Sequence, residues 1–252
     1  MDQLDGSTGE VRRTLSLSGP TCLAMDAGYG AVWVGVCGTP MLVRVDARTG
    51  RITEKVRLEV GNLLEESSVA AGAGRVWALS ADGELVTLHP RTNKVSVHRA
   101  PAGATALRAG FGALWVTNYD AGSLMRVDPA SHKVVARIAV GSGPRFLAVG
   151  EGGVWVLNQF DGTVSRVDPT TNEVTATVAV SDVAVEGGDI AAGGGSVWAR
   201  VSDSLVARID PGTNKIVARY GPSAGSGSVA ADNQAVWVSA HDINAIWRLP
   251  AP

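Results

Sequence analysis

Six tryptophans set the period of this chain. Trp33, Trp77, Trp115, Trp155, Trp198 and Trp237 are separated by 44, 38, 40, 43 and 39 residues. The first five follow a Gly-rich turn, such as Gly28-Tyr29-Gly30 before Trp33 and Gly110-Phe111-Gly112 before Trp115. A second punctuation comes downstream, as in Arg44-Val45-Asp46, Arg126-Val127-Asp128-Pro129, Arg166-Val167-Asp168-Pro169 and Arg208-Ile209-Asp210-Pro211. A polar turn and another β-branched run then follow. Each repeat of about 40 residues therefore holds four short runs rich in Val, Ile, Thr and Trp, bounded by turn residues, which is the pattern of strands. In the fourth repeat they fall at 145–149, 153–157, 163–168 and 173–179. No stretch shows sustained helical periodicity.

Four antiparallel strands per repeat, six times over, predict an all-β fold, a six-bladed β-propeller. A single blade cannot bury both of its faces, so the repeated tryptophan is expected to pack between blades. The sixth repeat ends on its third strand, at Ala245–Pro250, and Leu4–Leu15 matches a third-to-fourth-strand turn. The expectation is that the N-terminal strand completes the last blade and closes the ring, which removes an open edge. Residues 1–252 are then one β-propeller domain, for which a monomer is expected.

Composition excludes several classes. Apolar residues are 45% and charged ones 18%, with a net charge of −2. That supports a packed core and gives no basic patch for nucleic acid. No apolar run approaches the roughly 20 residues of a membrane span. The first residues carry neither a basic nor an apolar leader region, which predicts a cytoplasmic protein, or an exported one if a leader is removed.

The repeat resembles the YVTN-type propeller repeats and the streptogramin B lyase-like (virginiamycin B lyase-like) propellers, through its Gly-x-[Val/Leu]-Trp-Val core. The likeness covers nearly the whole chain and implies a small-molecule site at the channel mouth. It also implies Mg²⁺ held by a His/Glu set, which composition and spacing do not require, so no cofactor is read from the residues themselves. The family's Pro-His-Gly-type motif is replaced here by Gly19-Pro20-Thr21-Cys22 and Gly143-Pro144-Arg145-Phe146, without histidine.

Innermost-strand starts and second-to-third-strand loops should converge at that mouth. Of the four histidines, His89, His98 and His132 map to the far face or rim, and His241 to the mouth. His241 is therefore the candidate acid or base, since imidazole titrates near neutrality, or else a loop residue without chemistry. Arg145 is a candidate clamp for a carboxylate or phosphate, or a packing residue in a salt bridge. Tyr119 joins them as a catalytic candidate. Tyr119, Phe146 and Phe160, with Asn118 and Asn158, suggest an apolar wall with polar fixers. Among acids near the mouth, Glu66, Asp189, Asp203 and Asp242 are candidate ligand contacts or solvated loop charges. Cys22 and Cys37 are expected opposite each other on adjacent strands of the first repeat. Two buried thiols, a disulfide, and a reactive or metal-binding thiol all remain open.

These features fit a small-molecule-binding propeller, with a cofactor-independent lyase, isomerase or cyclase acting by proton transfer as the leading reading. A non-catalytic scaffold for a protein partner and an extracytoplasmic ligand-binding sensor are the alternatives.

Overall fold

The structure is a computed structural model that describes residues 1–223 and 225–251. It is all-β, and its successive antiparallel meanders are the six blades of a β-propeller. No helix among the described residues is long and apolar enough to cross a membrane.

A hairpin, β1 (Asp2–Leu4) and β2 (Val11–Thr14), precedes the blades. Blade one is β3 (Thr21–Gly28), β4 (Ala31–Val36), β5 (Met41–Asp46) and β6 (Ile52–Arg57). Blade two is β7 (Val69–Gly72), β8 (Arg75–Leu79), β9 (Glu84–Leu88) and β10 (Val95–Arg99). Blade three is β11 (Ala104–Gly110), β12 (Ala113–Asn118), β13 (Ser123–Val127) and β14 (Val134–Ala139). Blade four is β15 (Pro144–Gly150), β16 (Gly153–Asn158), β17 (Thr163–Asp168) and β18 (Glu173–Ala179), within one residue of the sequence expectation at every boundary. Blade five is β19 (Asp189–Gly193), β20 (Ser196–Arg200), β21 (Val206–Asp210) and β22 (Lys215–Tyr220), and blade six is β23 (Val229–Ala231), β24 (Ala235–Ala240) and β25 (Ala245–Pro250). Packing divides the chain into two compact units: Met1–Val116 with Val127–Val134, and Thr117–Arg126 with the chain from Val135 onward.

The tryptophans do what the repeat demands. Trp33, Trp77, Trp115, Trp155 and Trp198 are fully buried, while Trp237 is half-buried. In the first unit, Trp33 packs among Val69, Val76, Val86 and Leu88 of blade two. In the second, Trp155 packs among Ile190, Val197 and Ile209 of blade five, and Trp198 among Val229, Val236 and Val238 of blade six. Burying an indole requires a partner for its N–H. Each of the five donates to the carbonyl of the glycine five residues earlier, from Gly28 for Trp33 at 3.2 Å to Gly193 for Trp198 at 3.2 Å. The Gly-rich turn before each tryptophan is thus its acceptor as well as a bend.

An arginine stands opposite most of these tryptophans on the third strand of the blade. Arg44, Arg166 and Arg208 are the register partners of Trp33, Trp155 and Trp198. Their guanidinium carbons lie 5.6, 4.9 and 5.7 Å from the indole rings. A register shift follows each of these arginines in its pairing with the fourth strand. A bulge re-aims the side chain beside it, and here the arginine stacks on the indole. Arg166 then reaches the next blade, donating to Pro211 O and Asn214 Oδ1 at 2.6 and 2.8 Å. Arg126 does the same to Pro169 O and Asn172 Oδ1, at 3.1 and 3.0 Å.

The first strands of neighbouring blades approach closely within each unit. A Cβ on Gly28 would stand 2.8 Å from Ala71 Cβ, and one on Gly72 would stand 2.7 Å from Ala109 Cβ. No side chain fits at either glycine.

The strand order departs from the expected closure in one respect. The last sheet has the three strands β23, β24 and β25, and β2 pairs with β1 in a sheet of its own. The hairpin satisfies its own backbone and is anchored on blade one. Arg13 donates to Thr49 O and Gly50 O, each at 3.0 Å, and Leu15 joins Val34, Met41 and Val43 in one apolar cluster. Arg13 thus makes on blade one the reach that Arg126 and Arg166 make on blades four and five.

Candidate functional site

The loop end of blades three and four gathers six of the candidates around one turn. The β16–β17 turn is tied to the approach to β15 by Gln159 N–H donating to Gly143 O at 2.9 Å and Phe160 N–H donating to Ser142 O at 3.2 Å. Asp161 Oδ2 accepts the Ser142 N–H at 2.6 Å. Gly143 sits at φ +66°, and a Cβ there would stand 2.8 Å from Phe160 Cδ2. The missing side chain lets the Phe160 ring lie over the backbone, and that ring is 59% exposed. Tyr119, in the β12–β13 turn, meets Phe160 with ring centroids 5.2 Å apart and planes at 57°. Offset, tilted geometry of this kind suits aromatic quadrupoles.

Two residues beyond Gly143, the half-buried Arg145 places its guanidinium 5.5 Å from the Phe146 ring. The Arg145 carbonyl accepts the buried Thr117 hydroxyl at 3.2 Å. A cation over an aromatic face is attracted by the ring quadrupole. Phe146 itself is buried with Trp155 and Val164 in the core, so it supports Arg145 and is not a wall of the site. Asn158 is fully buried too, and its amide donates to Thr163 Oγ1 and Ser165 Oγ at 3.0 and 2.9 Å. It shapes the turn from beneath. Asn118 Oδ1 accepts the Ala121 N–H at 3.0 Å and closes its own turn. Phe160 is exposed, and Tyr119 and Arg145 are half-buried.

His241 lies in a second cluster, on blades five and six. Its Nδ1 is 3.5 Å from Ser226 Oγ, and its N–H donates to Ser226 O at 2.8 Å. Beside it is a depression of about 420 Å³ lined by Glu186, Ser202, Ser223, Ser226 and Asp242. Asp242 Oδ2 accepts the Gly225 N–H at 2.8 Å. Beneath this cluster lies Arg200, 1% exposed. It donates to Val201 O at 2.6 Å, to Ser239 O at 3.3 Å and to Gly225 O. Burial lowers its pKa, and the Asp242 charge opposes that shift. Arg200 was not a sequence candidate. The signal was present, because the residue two after each tryptophan is otherwise Gly35, Leu79, Thr117, Leu157 or Ser239.

The remaining candidates stand elsewhere. Cys22 and Cys37 form a disulfide with Cα atoms 5.2 Å apart, so neither offers a thiol to a ligand. The Glu66 N–H donates to Cys22 O at 2.7 Å, which makes Glu66 a brace for that strand start. Asp189 bridges two strands: Oδ1 accepts the Ile190 N–H at 2.8 Å and Oδ2 the Val229 N–H at 3.0 Å. Asp203 pairs at 3.0 Å with Arg219 on β22, the outermost strand of blade five. That pairing turns it outward. Among the described residues no three of His, Cys, Asp and Glu converge. No step below is routed through a metal.

No known family's profile matches the chain, and no curated protein matches it. Solved structures do. Hydrazine synthase of Kuenenia stuttgartiensis matches with a TM-score of 0.72 and 11% identity, over 96% of this chain and 80% of that one. A streptogramin B lyase structure matches with a TM-score of 0.70 and 17% identity, over 94% of this chain and 85% of that one. What is shared at these identities is the fold. The chain is a β-propeller of streptogramin B lyase-like fold.

Proposed function

We propose that this protein binds a small organic anion with a flat apolar portion at the loop end of blades three and four. One observation carries the reading: Phe160 is held out in solvent over Gly143 and against Tyr119, and Arg145, two residues after Gly143, holds its guanidinium 5.5 Å from the Phe146 ring. An aromatic face takes the flat portion, and a guanidinium takes a carboxylate through paired N–H donors. The reaction class is cofactor-independent elimination, isomerisation or cyclisation by proton transfer. The fold likeness to a lyase supports that class. Arg145 would stabilise negative charge that builds on the bound carboxylate when a neighbouring C–H proton is removed. Tyr119 is the proton-handling group of this cluster, and His241 is the candidate acid or base of the separate cluster on blades five and six. The disulfide supports an exported protein, because such bonds persist in oxidising compartments.

The test is a thermal-shift screen with cyclic and aromatic carboxylates, followed by turnover assays on any binder. A ligand at 100 times its Kd adds about 2.7 kcal/mol. The expected result is a shift abolished by Arg145→Ala and reduced by Phe160→Ala, with turnover lost in Tyr119→Phe. A shift untouched by Arg145→Ala overturns the site. Binding without turnover in the unaltered protein overturns the catalytic part, and no shift with any compound moves the reading to a protein-binding scaffold.

A further inference from the structure

One junction in the first unit is built differently from its equivalents. On blades one, four and five, an arginine faces the buried tryptophan across the second and third strands. On blade two, the residue opposite Trp77 is Thr87. The receiving turn has changed with it. Asn93, Asn172 and Asn214 each take a left-handed φ in the third-to-fourth-strand turn, at 56°, 60° and 56°, and the residue in that place on blade three is His132, at 59°. His132 fills the space left by the missing arginine. Its ring meets Trp77 edge-on, with centroids 5.9 Å apart and planes at 71°. His98, on β10, lies against it with centroids 3.8 Å apart and planes at 36°. A permanent cation and its amide acceptor are here exchanged for two imidazoles.

We propose that the His98–His132 stack is a proton-operated joint, closed when the imidazoles are neutral and loosened when both are charged. Two imidazolium rings at 3.8 Å repel one another. The groups around them relieve that repulsion only in part. The Asp128 carboxylate, in the turn itself and held by Ser131 N–H and Oγ–H at 2.7 Å each, favours the charged ring, and Arg75, on β8, adds positive charge. Thr87, on β9, is uncharged. Burial and the His98 charge hold the His132 pKa below its ordinary value. The folded state therefore takes up fewer protons than the unfolded one near pH 6. Stability from this joint is complete above the unfolded pKa and falls as pH drops below it.

The experiment is amide hydrogen exchange of the whole protein at about pH 7.5 and about pH 5.5, corrected for intrinsic rates. In the unaltered protein, protection of β10 and of residues 128–133 should fall severalfold on acidification, with the other third-to-fourth-strand turns unchanged. Thr87→Arg with His132→Asn rebuilds the arginine–asparagine joint and should remove the fall. His98→Gln is the milder second variant and should weaken it. Equal protection at both pH values in the unaltered protein overturns the proposal. So does a fall that persists in both variants.

Discussion

Phe160 covers Gly143 so closely that a Cβ on the glycine would stand 2.8 Å from its ring. Gly143→Ala should therefore displace the ring and also strain a backbone at φ +66°. The expected stability loss is about 1–2 kcal/mol by denaturant melt. Any ligand shift that depends on Phe160 should vanish with it. Retention of that shift would separate Phe160 from the site.

Arg166 joins blades four and five through Pro211 O and Asn214 Oδ1 and stacks on Trp155 at 4.9 Å. Charge-assisted bonds are worth about 1.5–3 kcal/mol. Arg166→Ala should cost that much in urea unfolding, and Asn214→Ala less, because Pro211 O still accepts.

Buried and exposed arginines should behave in opposite ways. Arg200→Met leaves the carbonyls of Val201, Ser239 and Gly225 without their donor. Its expected cost is about 3–5 kcal/mol. Arg219→Ala breaks the pair with Asp203, both partners being more than a third exposed, and should stay within about 0.5 kcal/mol. Similar costs for the two would refute the burial argument.

Removing the disulfide, by Cys22→Ser with Cys37→Ser, releases a constraint across 15 residues. For a loop of that length the chain-entropy estimate is about 3 kcal/mol. The loss should appear in the unaltered protein on adding reductant, and the double variant should be insensitive to it.

Acid should unfold the protein through four equivalent turns. The Asp46 and Asp128 carboxyls are held below the usual range by the hydroxyls of Thr49 and Ser131 and then by turn N–H groups, and those of Asp168 and Asp210 by turn N–H groups first. A carboxyl lowered on folding stabilises above its unfolded pKa, and that contribution is lost as pH falls through the folded value. The urea midpoint should drop as pH falls below about 4. Asp168→Asn should flatten part of that slope.

The blades were legible because their cause is local. Tryptophan, its glycine acceptor and the Asp-closed turn all lie within one repeat, so spacing alone located β15 to β18. The adjacency of Cys22 and Cys37 followed from the same counting, though not their oxidation state. Side-chain direction was less accessible. Phe146 and Asn158 lie on strands near the loop end, but burial turns them inward. Asp203 is claimed by Arg219, which lies 16 residues on, on the outermost strand. The two-residue offset of Thr21–Met25 against Val34–Val36 sends Leu23 into solvent at φ +52°. Strand periodicity cannot show such a bulge. His132 lies in the third-to-fourth-strand turn of blade three, but its contact with Trp77 cannot be read from its own repeat, because the residue opposite Trp77, Thr87, lies in the preceding one.

The arginine-to-turn contacts give the junctions of blades three and four and of blades four and five a donor on one blade and an acceptor on the next. Arg126 and Asn172 are 46 residues apart, and Arg166 and Asn214 are 48 apart. A tandem copy of one repeat carries both halves, so duplication alone makes a new junction that fits. A single substitution does not, because its counterpart lies in a different copy. Thr87 and His132 illustrate the outcome, a paired change spanning two repeats. Drift in such a chain is thus constrained between copies, and relatives should vary at these positions as linked pairs one repeat apart.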